Sequence, residues 1–369
     1  MKAGIVTFQR ADNYGSLLQC YALYKSIEAL GAEAEVIDYR NPYIERAYVG
    51  LPNFQKNFIE WGKKAVNRYL NYDHVMKKHQ AYEELIKEIR YSRGYKKREI
   101  LKNGLDYDVI FAGSDQIWNP VMTNGFDKVY FLDFPGNFVK CSYAASLGNS
   151  NSSEYKKEKF SKLIKDFDFI SMRERSACET IYNCAKIKTD VCVDPTLLVE
   201  RSDWEKLAEK SDLDIKNDYI VLYYLDGNKE LHKIAEYLSE KYSCQIICCN
   251  KNPVSGKNII WMGDLGPVDF LALIKGAKAV VASSFHASVF SVIFDKQLYA
   301  TLHPETGERT RSLSEICGFS SRLYSDFEDF RRKFDENDII SYDYQNLENT
   351  VRSSKDFIKK AIEAARKRS

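Results

Sequence analysis

The chain has 369 residues, of which 44% are hydrophobic and 29% charged, and its formal net charge is +2. That length suits two domains of ordinary size, and the composition is that of a soluble globular protein. The balanced charge excludes a global nucleic-acid signature, and no run of about 18 apolar residues offers a membrane span.

The N-terminus, Met1-Lys2-Ala3-Gly4-Ile5-Val6, enters a strand at once, without a signal-peptide hydrophobic region. Ala3 to Phe8 reads as a buried strand, followed by a polar loop through Asn13, Tyr14, Gly15 and Ser16. Leu17 to Leu30 reads as a helix stopped by Gly31, and Ala34 to Tyr39 as a second strand. This is a βαβ opening. The loop is neither a P-loop nor GxGxxG, so it gives no ground for a nucleotide.

Residues 41–105 contain no good strand and read as two or three inserted helices. Within them Phe54, Phe58 and Trp61 fall at i, i+4, i+7, with Lys56, Lys63, Lys64 and Arg68 nearby. The favoured reading is a helix packed on its domain with a solvated basic face. The alternative is an interfacial helix touching lipid.

Asp108 to Ala112 is a strand that runs into Gly113-Ser114-Asp115-Gln116, a polar lining for a cleft. Lys140 to Ser146 and Phe167 to Met172 follow, the second ending at Arg173 just before a helix. An arginine at such a strand end can hold a carboxylate or phosphate. A linker-like segment near residues 200–217 separates a second βα-rich half. Its first strand, Tyr219 to Leu225, turns at Asp226-Gly227-Asn228. Pro267 to Gly276 is punctuated as a helix. Val280-Val281-Ala282-Ser283-Ser284-Phe285-His286 then reads as a buried strand, a tight turn and the start of a helix. His286 therefore stands in a first helical turn beyond a strand's carboxyl end, where amides and the helix dipole favour an anion. A histidine there can move a proton near neutral pH. Gln297 to Leu302 is another strand, trailed by Arg309 and Arg311, and the tail from Asn349 is helical.

The nine cysteines are scattered, with no CxxC pair and no Cys/His cluster of zinc spacing. Their odd number and apolar neighbours predict reduced thiols in a cytoplasmic protein. The expected organisation is an N-terminal Rossmann-like domain over 1–200 with its helical insertion, a C-terminal one over 201–345, and a terminal helix over 346–369.

Six segments together resemble the polysaccharide pyruvyl transferase family: Asn13 to Gln19, Gly113 to Asn119, Tyr143 to Gly148, Ser171 to Glu174, Asp194 to Leu198, and Ser283 to Phe290. They lie in the family's order between residues 4 and about 320. The resemblance implies a GT-B-like fold, two Rossmann-like domains facing across a cleft. It implies phosphoenolpyruvate as donor substrate, with no cofactor and no metal. The product would be a pyruvate ketal on a sugar of a cell-surface polysaccharide or its lipid-linked precursor, made at the inner membrane face. It casts His286 as general acid and Arg173 as a donor-binding residue. Ser284 at the helix start and either Arg309 or Arg311 join them on the donor; spacing does not choose between the arginines. Asn13, Tyr14, Gly15, Ser16, Ser114, Asp115, Gln116, Ser146 and Asp226 are candidates for the cleft and acceptor. One departure is Gln297, where relatives commonly carry proline, a change that touches a turn. Two other readings stand beside this one: a nucleotide-sugar glycosyltransferase on the same architecture, and a non-catalytic binder of an anionic glycan.

Overall fold

A computed structural model describes residues 1–48, 51–53, 57–224, 227–250, 252–335, 337 and 339–368. The chain forms two compact units, Met1–Val199 with Asn349–Ser369, and Glu200–Glu348.

The first unit contains β1 (Lys2–Val6), β2 (Glu33–Val36), β3 (Tyr39–Arg40), β4 (Tyr95–Lys96), β5 (Val109–Ala112), β6 (Val139–Ala145), β7 (Phe169–Met172) and β8 (Asp190–Val191). Six of these make one sheet in the order β2-β1-β5-β6-β7-β8, every pair parallel. β5 is Val-Ile-Phe-Ala and buried throughout, the unbroken apolar run that a parallel strand covered on both faces requires. The winding reverses between β1 and β5. The chain steps outward from β1 to β2, then returns to β1's other side. Such a reversal leaves a crevice at the strands' carboxyl ends, where ligands of open α/β sheets bind. Trp118 anchors the core beneath, stacked on Phe131 at 5.2 Å and donating from Nε1 to the Tyr130 carbonyl.

Among the described residues the insertion holds four helices, Pro42–Tyr48, Phe58–Leu70, Tyr72–Ile86 and Lys97–Asn103, and the small parallel pair β3–β4. The fourth helix and β4 are too short to print a period on the sequence. The terminal helix, Tyr344–Arg368, ends on the first unit. There Phe357 packs on Tyr143 and Phe169, Ser354 accepts the Val193 amide, and Arg368 pairs with Asp168 at 2.7 Å.

The second unit contains β9 (Tyr219–Tyr223), β10 (Gln245–Cys248), β11 (Ile259–Trp261), β12 (Ala279–Ala282), β13 (Gln297–Thr301) and β14 (Leu323–Tyr324). They form a parallel sheet in the order β11-β10-β9-β12-β13-β14. The order is that of a dinucleotide-type Rossmann sheet, and it reverses between β9 and β12. Among the described residues no helix is long and apolar enough to cross a membrane.

Candidate functional site

In the second unit the reversal point carries the histidine. β12 is buried at all four positions and ends at Ser283, whose amide donates to the Tyr223 carbonyl of β9. Ser284 is the N-cap of the helix Phe285–Ile293, its Oγ accepting from the Ala287 amide at 3.5 Å and its carbonyl from Ser288 Oγ at 3.2 Å. His286 is thus the second residue of the helix, buried among its first amides. Its ring meets Phe285 edge-on at 5.0 Å, and the Arg309 guanidinium lies 5.5 Å from the Phe285 ring on the same ring system. Arg309 is itself buried and donates from Nε to the Thr306 carbonyl at 3.4 Å. Arg311, two residues on and so on the opposite side of the helix, is turned to Glu308 at 3.1 Å and half-exposed. The two arginines that spacing left equivalent are separated by the helix Glu308–Cys317: one points inward beside the histidine's neighbour, the other outward. Asn228 caps the helix after β9 and donates to Thr301 Oγ1 at the end of β13. Asp226 lies outside the described residues.

In the first unit the reversal point carries carboxylates. Asn13 caps the helix Tyr14–Ala29, accepting the Ser16 amide at 3.2 Å. Ser16 Oγ donates to Asp115 Oδ2 at 2.5 Å. Asp115 has φ +74°, a left-handed conformation that an Asp adopts more readily than most residues, and it folds back to accept the Gln116 amide at 2.8 Å. Gly113 before it has φ +129°, and a Cβ there would stand 2.3 Å from the Tyr143 carbonyl oxygen, so only glycine fits. A register shift in β6 between Ser142 and Ala145 re-aims the strand end. It brings the Ser146 amide onto the Asp115 carbonyl and lets Ala145 accept the Arg173 amide.

Arg173 is 3% exposed. Its Nη1 sits 2.6 Å from Asp194 Oδ2 and its Nη2 3.6 Å from Asp115 Oδ1. Burial pulls the guanidinium's pKa down, but Asp194, Asp115 and Glu174 outweigh it and hold the group above its ordinary value. Asp194 is held in turn by the Thr196 amide and hydroxyl. Glu174 is fully buried and accepts from Ser146 Oγ at 3.0 Å and the Leu147 amide at 2.9 Å.

Compared with known proteins, the chain matches the family model described as polysaccharide pyruvyl transferase over residues 13–301. The chain belongs to the polysaccharide pyruvyl transferase family. No curated protein matches it. Similar solved structures include UDP-N-acetylglucosamine 2-epimerase from Rickettsia bellii, 14% identical, covering 99% of this chain and 95% of that one with a TM-score of 0.52. UDP-GlcNAc 2-epimerase from Methanocaldococcus jannaschii is also 14% identical, covering 96% of this chain and 99% of that one with a TM-score of 0.52. At that identity they speak to fold alone: this transferase-family chain has the GT-B fold of two Rossmann-like α/β units.

Within the pyruvyl transferase motifs, the structure joins Asn13, Ser16, Asp115, Gln116 and Arg173 in one network at the first unit's reversal point. It puts His286, Ser284 and Arg309 together at the second's. Ser114 and Ser146 are fully buried, their hydroxyls spent on the Ala144 carbonyl and on Glu174. In this structure both hydroxyls hold the loops together. Tyr14 and Gly15 are also buried, Tyr14 stacked on Tyr82 at 5.8 Å. One pair escaped the sequence reading. His79 Nδ1, on the insertion helix Tyr72–Ile86, lies 3.0 Å from Asp12 Oδ2 in the loop after β1. Its Nε2 is 4.0 Å from Glu83. Tyr48 borders both Asp12 and Asp115: burial first, then these two charges, push its phenol well up. Sixty-seven residues separate Asp12 from His79, so no local pattern could have paired them.

Proposed function

We propose that this family member transfers the enolpyruvyl group of phosphoenolpyruvate to a sugar of a cell-surface polysaccharide or its lipid-linked precursor, closing a pyruvate ketal and releasing phosphate at the cytoplasmic face. The observation that carries this reading is His286 in the first turn of the helix at the second unit's reversal point, with Arg309 against its neighbour Phe285. An enol phosphate needs a proton at C3. His286 as imidazolium supplies it, and C2 becomes an oxocarbenium. One sugar hydroxyl adds to C2 and loses its proton, phosphate departs with the C2–O bonding pair to re-form an oxocarbenium, and a second hydroxyl of the same sugar adds to C2 and gives its proton to the departed phosphate or to the base, closing the ring. The donor is a dianion or more. The helix-start amides and Arg309 suit its phosphate and carboxylate.

The first unit offers a different field. Three carboxylates surround the one guanidinium of Arg173, so that pocket brings no surplus positive charge to an anion. We assign Arg173 to ordering Asp115 and Asp194 rather than to the donor. Asp115 and Ser16 suit a neutral, hydroxyl-rich acceptor. We assign His79 to the acceptor's hydroxyl proton: a carboxylate only accepts, so Asp12 keeps the proton on Nδ1 and leaves Nε2 as the base.

Thermal melting tests the donor. Ligand at 100 times its dissociation constant stabilises by about 2.7 kcal/mol. The wild type should shift with phosphoenolpyruvate and not with UDP-N-acetylglucosamine; Arg309→Ala should lose the shift and Arg311→Ala keep it. A shift with the nucleotide sugar alone would replace this reading with a glycosyltransferase. Phosphoenolpyruvate binding without phosphate release on any glycan acceptor would leave a binding protein.

A further inference from the structure

The insertion helix Phe58–Leu70 differs from every other long helix of the first unit in having no buried residue. Asn57 caps it, accepting from the Ile59 and Glu60 amides. At 100° per residue, Phe58, Ile59, Val66, Tyr69 and Leu70 fall within one third of its circumference. Each is between 58% and 80% exposed. Trp61 and Arg68 stand on another side, and they are the residues that tie the helix down. Trp61 donates from Nε1 to the Pro52 carbonyl at 3.0 Å, and Arg68 donates to the carbonyls of Arg46 and Ala47 at 2.8 and 3.0 Å. Phe54 lies outside the described residues. The favoured sequence expectation, a helix packed on its domain, is therefore overturned. The interfacial alternative is altered too: Trp61 does not share the face that looks outward.

The polar arc carries Lys63, Lys64 and Arg68 against the single acid Glu60. Tyr72, two residues past the helix end, and Leu51, seven residues before its start, are also exposed. An apolar stripe with a basic flank is the pattern of a helix lying in a lipid interface, its rings and aliphatic chains among acyl carbons and its cations among phosphates. A two-fold contact with a second copy would bring the basic flanks toward one another, a cost that an anionic surface turns into a gain.

We propose that the helix Phe58–Leu70 docks this protein on an anionic lipid surface through Ile59, Val66, Leu70, Phe58 and Tyr69, with Lys63, at the edge of that stripe, on the phosphates and Lys64 behind it adding only to the surrounding positive potential. The inference rests on this helix alone and is independent of the donor.

The test is co-sedimentation of the full chain with vesicles of phosphatidylglycerol and phosphatidylcholine, or of phosphatidylcholine alone. Wild type should partition to the anionic vesicles, less so at high salt. Ile59→Glu/Val66→Glu/Leu70→Glu and, separately, Lys63→Glu/Lys64→Glu should each lower partitioning by roughly tenfold or more. Both should melt as wild type does, since they alter exposed side chains; the lysine pair keeps the test open if the triple variant does not fold. Absence of vesicle binding by wild type, or equal binding by both variants, would overturn the proposal. So would a wild-type dimer in sedimentation velocity that the triple variant splits while vesicle binding is unchanged.

Discussion

Replacing Arg173 with methionine keeps most of the side chain's volume and deletes its charge. Asp194, with no exposed side-chain surface, then loses a 2.6 Å partner, and Asp115, 8% exposed, loses one at 3.6 Å. Removing one member of a buried ion pair costs about 3–5 kcal/mol, because the remaining charge stays desolvated. In a unit of this size each kcal/mol moves the melting temperature by about 2–4 °C, so a fall of roughly 6–20 °C is expected by calorimetry at neutral pH. The pH dependence has a definite sign. Without the guanidinium, the charged carboxylates are disfavoured in the fold, so their folded pKa rises above the unfolded value of about 4. The deficit relative to wild type is then small at low pH and grows as pH rises through that raised value. A variant melting within about 2 °C of wild type at neutral pH would refute the ordering role and return Arg173 to the donor.

His286→Ala should keep the wild-type melt and lose phosphate release by about 10²- to 10⁴-fold, the usual span of general acid catalysis; a wild-type rate would remove the histidine from the mechanism. His79→Ala should lower kcat while sparing the phosphoenolpyruvate melting shift, and loss of that shift would contradict its assignment to the acceptor. Burial raises the Asp12 pKa, against the opposing pull of His79 and Lys78. A carboxyl whose folded pKa exceeds its unfolded one costs stability progressively as pH rises through it. Asp12→Asn should therefore gain on wild type in denaturant unfolding between about pH 4 and pH 7, and a gap that narrows with rising pH would show the sign to be wrong. Seven of the nine cysteines are buried, and burial pushes thiols such as Cys20 and Cys317 up to about 12, so native protein should react with maleimide first at Cys178 and Cys184.

The parallel strands were legible because a strand covered on both faces must be apolar without interruption. Val109–Ala112 and Ala279–Ala282 say so in four residues each. β8, β11 and β14 were not, since two or three residues carry no period. His286 was legible for a local reason: a buried strand, a serine cap and a helix follow one another within a few positions. The same reasoning could not tell that the Ser114 and Ser146 hydroxyls are bonded within the fold, to the Ala144 carbonyl and to Glu174. Small polar residues after a strand look alike whether they face a ligand or bond the neighbouring loop.

The sequence by itself determined the αβ alternation, the family and the positions of the two loops at the strands' carboxyl ends, because each is written in contiguous residues. Only the tertiary structure decided the pairings. Sheet order is set by which strand returns beside which, and it alone makes β1–β5 and β9–β12 the reversal points. Helix phase set Arg309 inward and Arg311 outward. Chain return brought His79 to Asp12, and Asp115 and Asp194 to Arg173. Electrostatics acts through space at a few ångströms, and residues tens of positions apart leave no local trace of such contacts. Exposure of the Phe58–Leu70 stripe belongs to the same class: amphipathicity is a property of the helix, but which side meets the body depends on where Trp61 and Arg68 find their carbonyls.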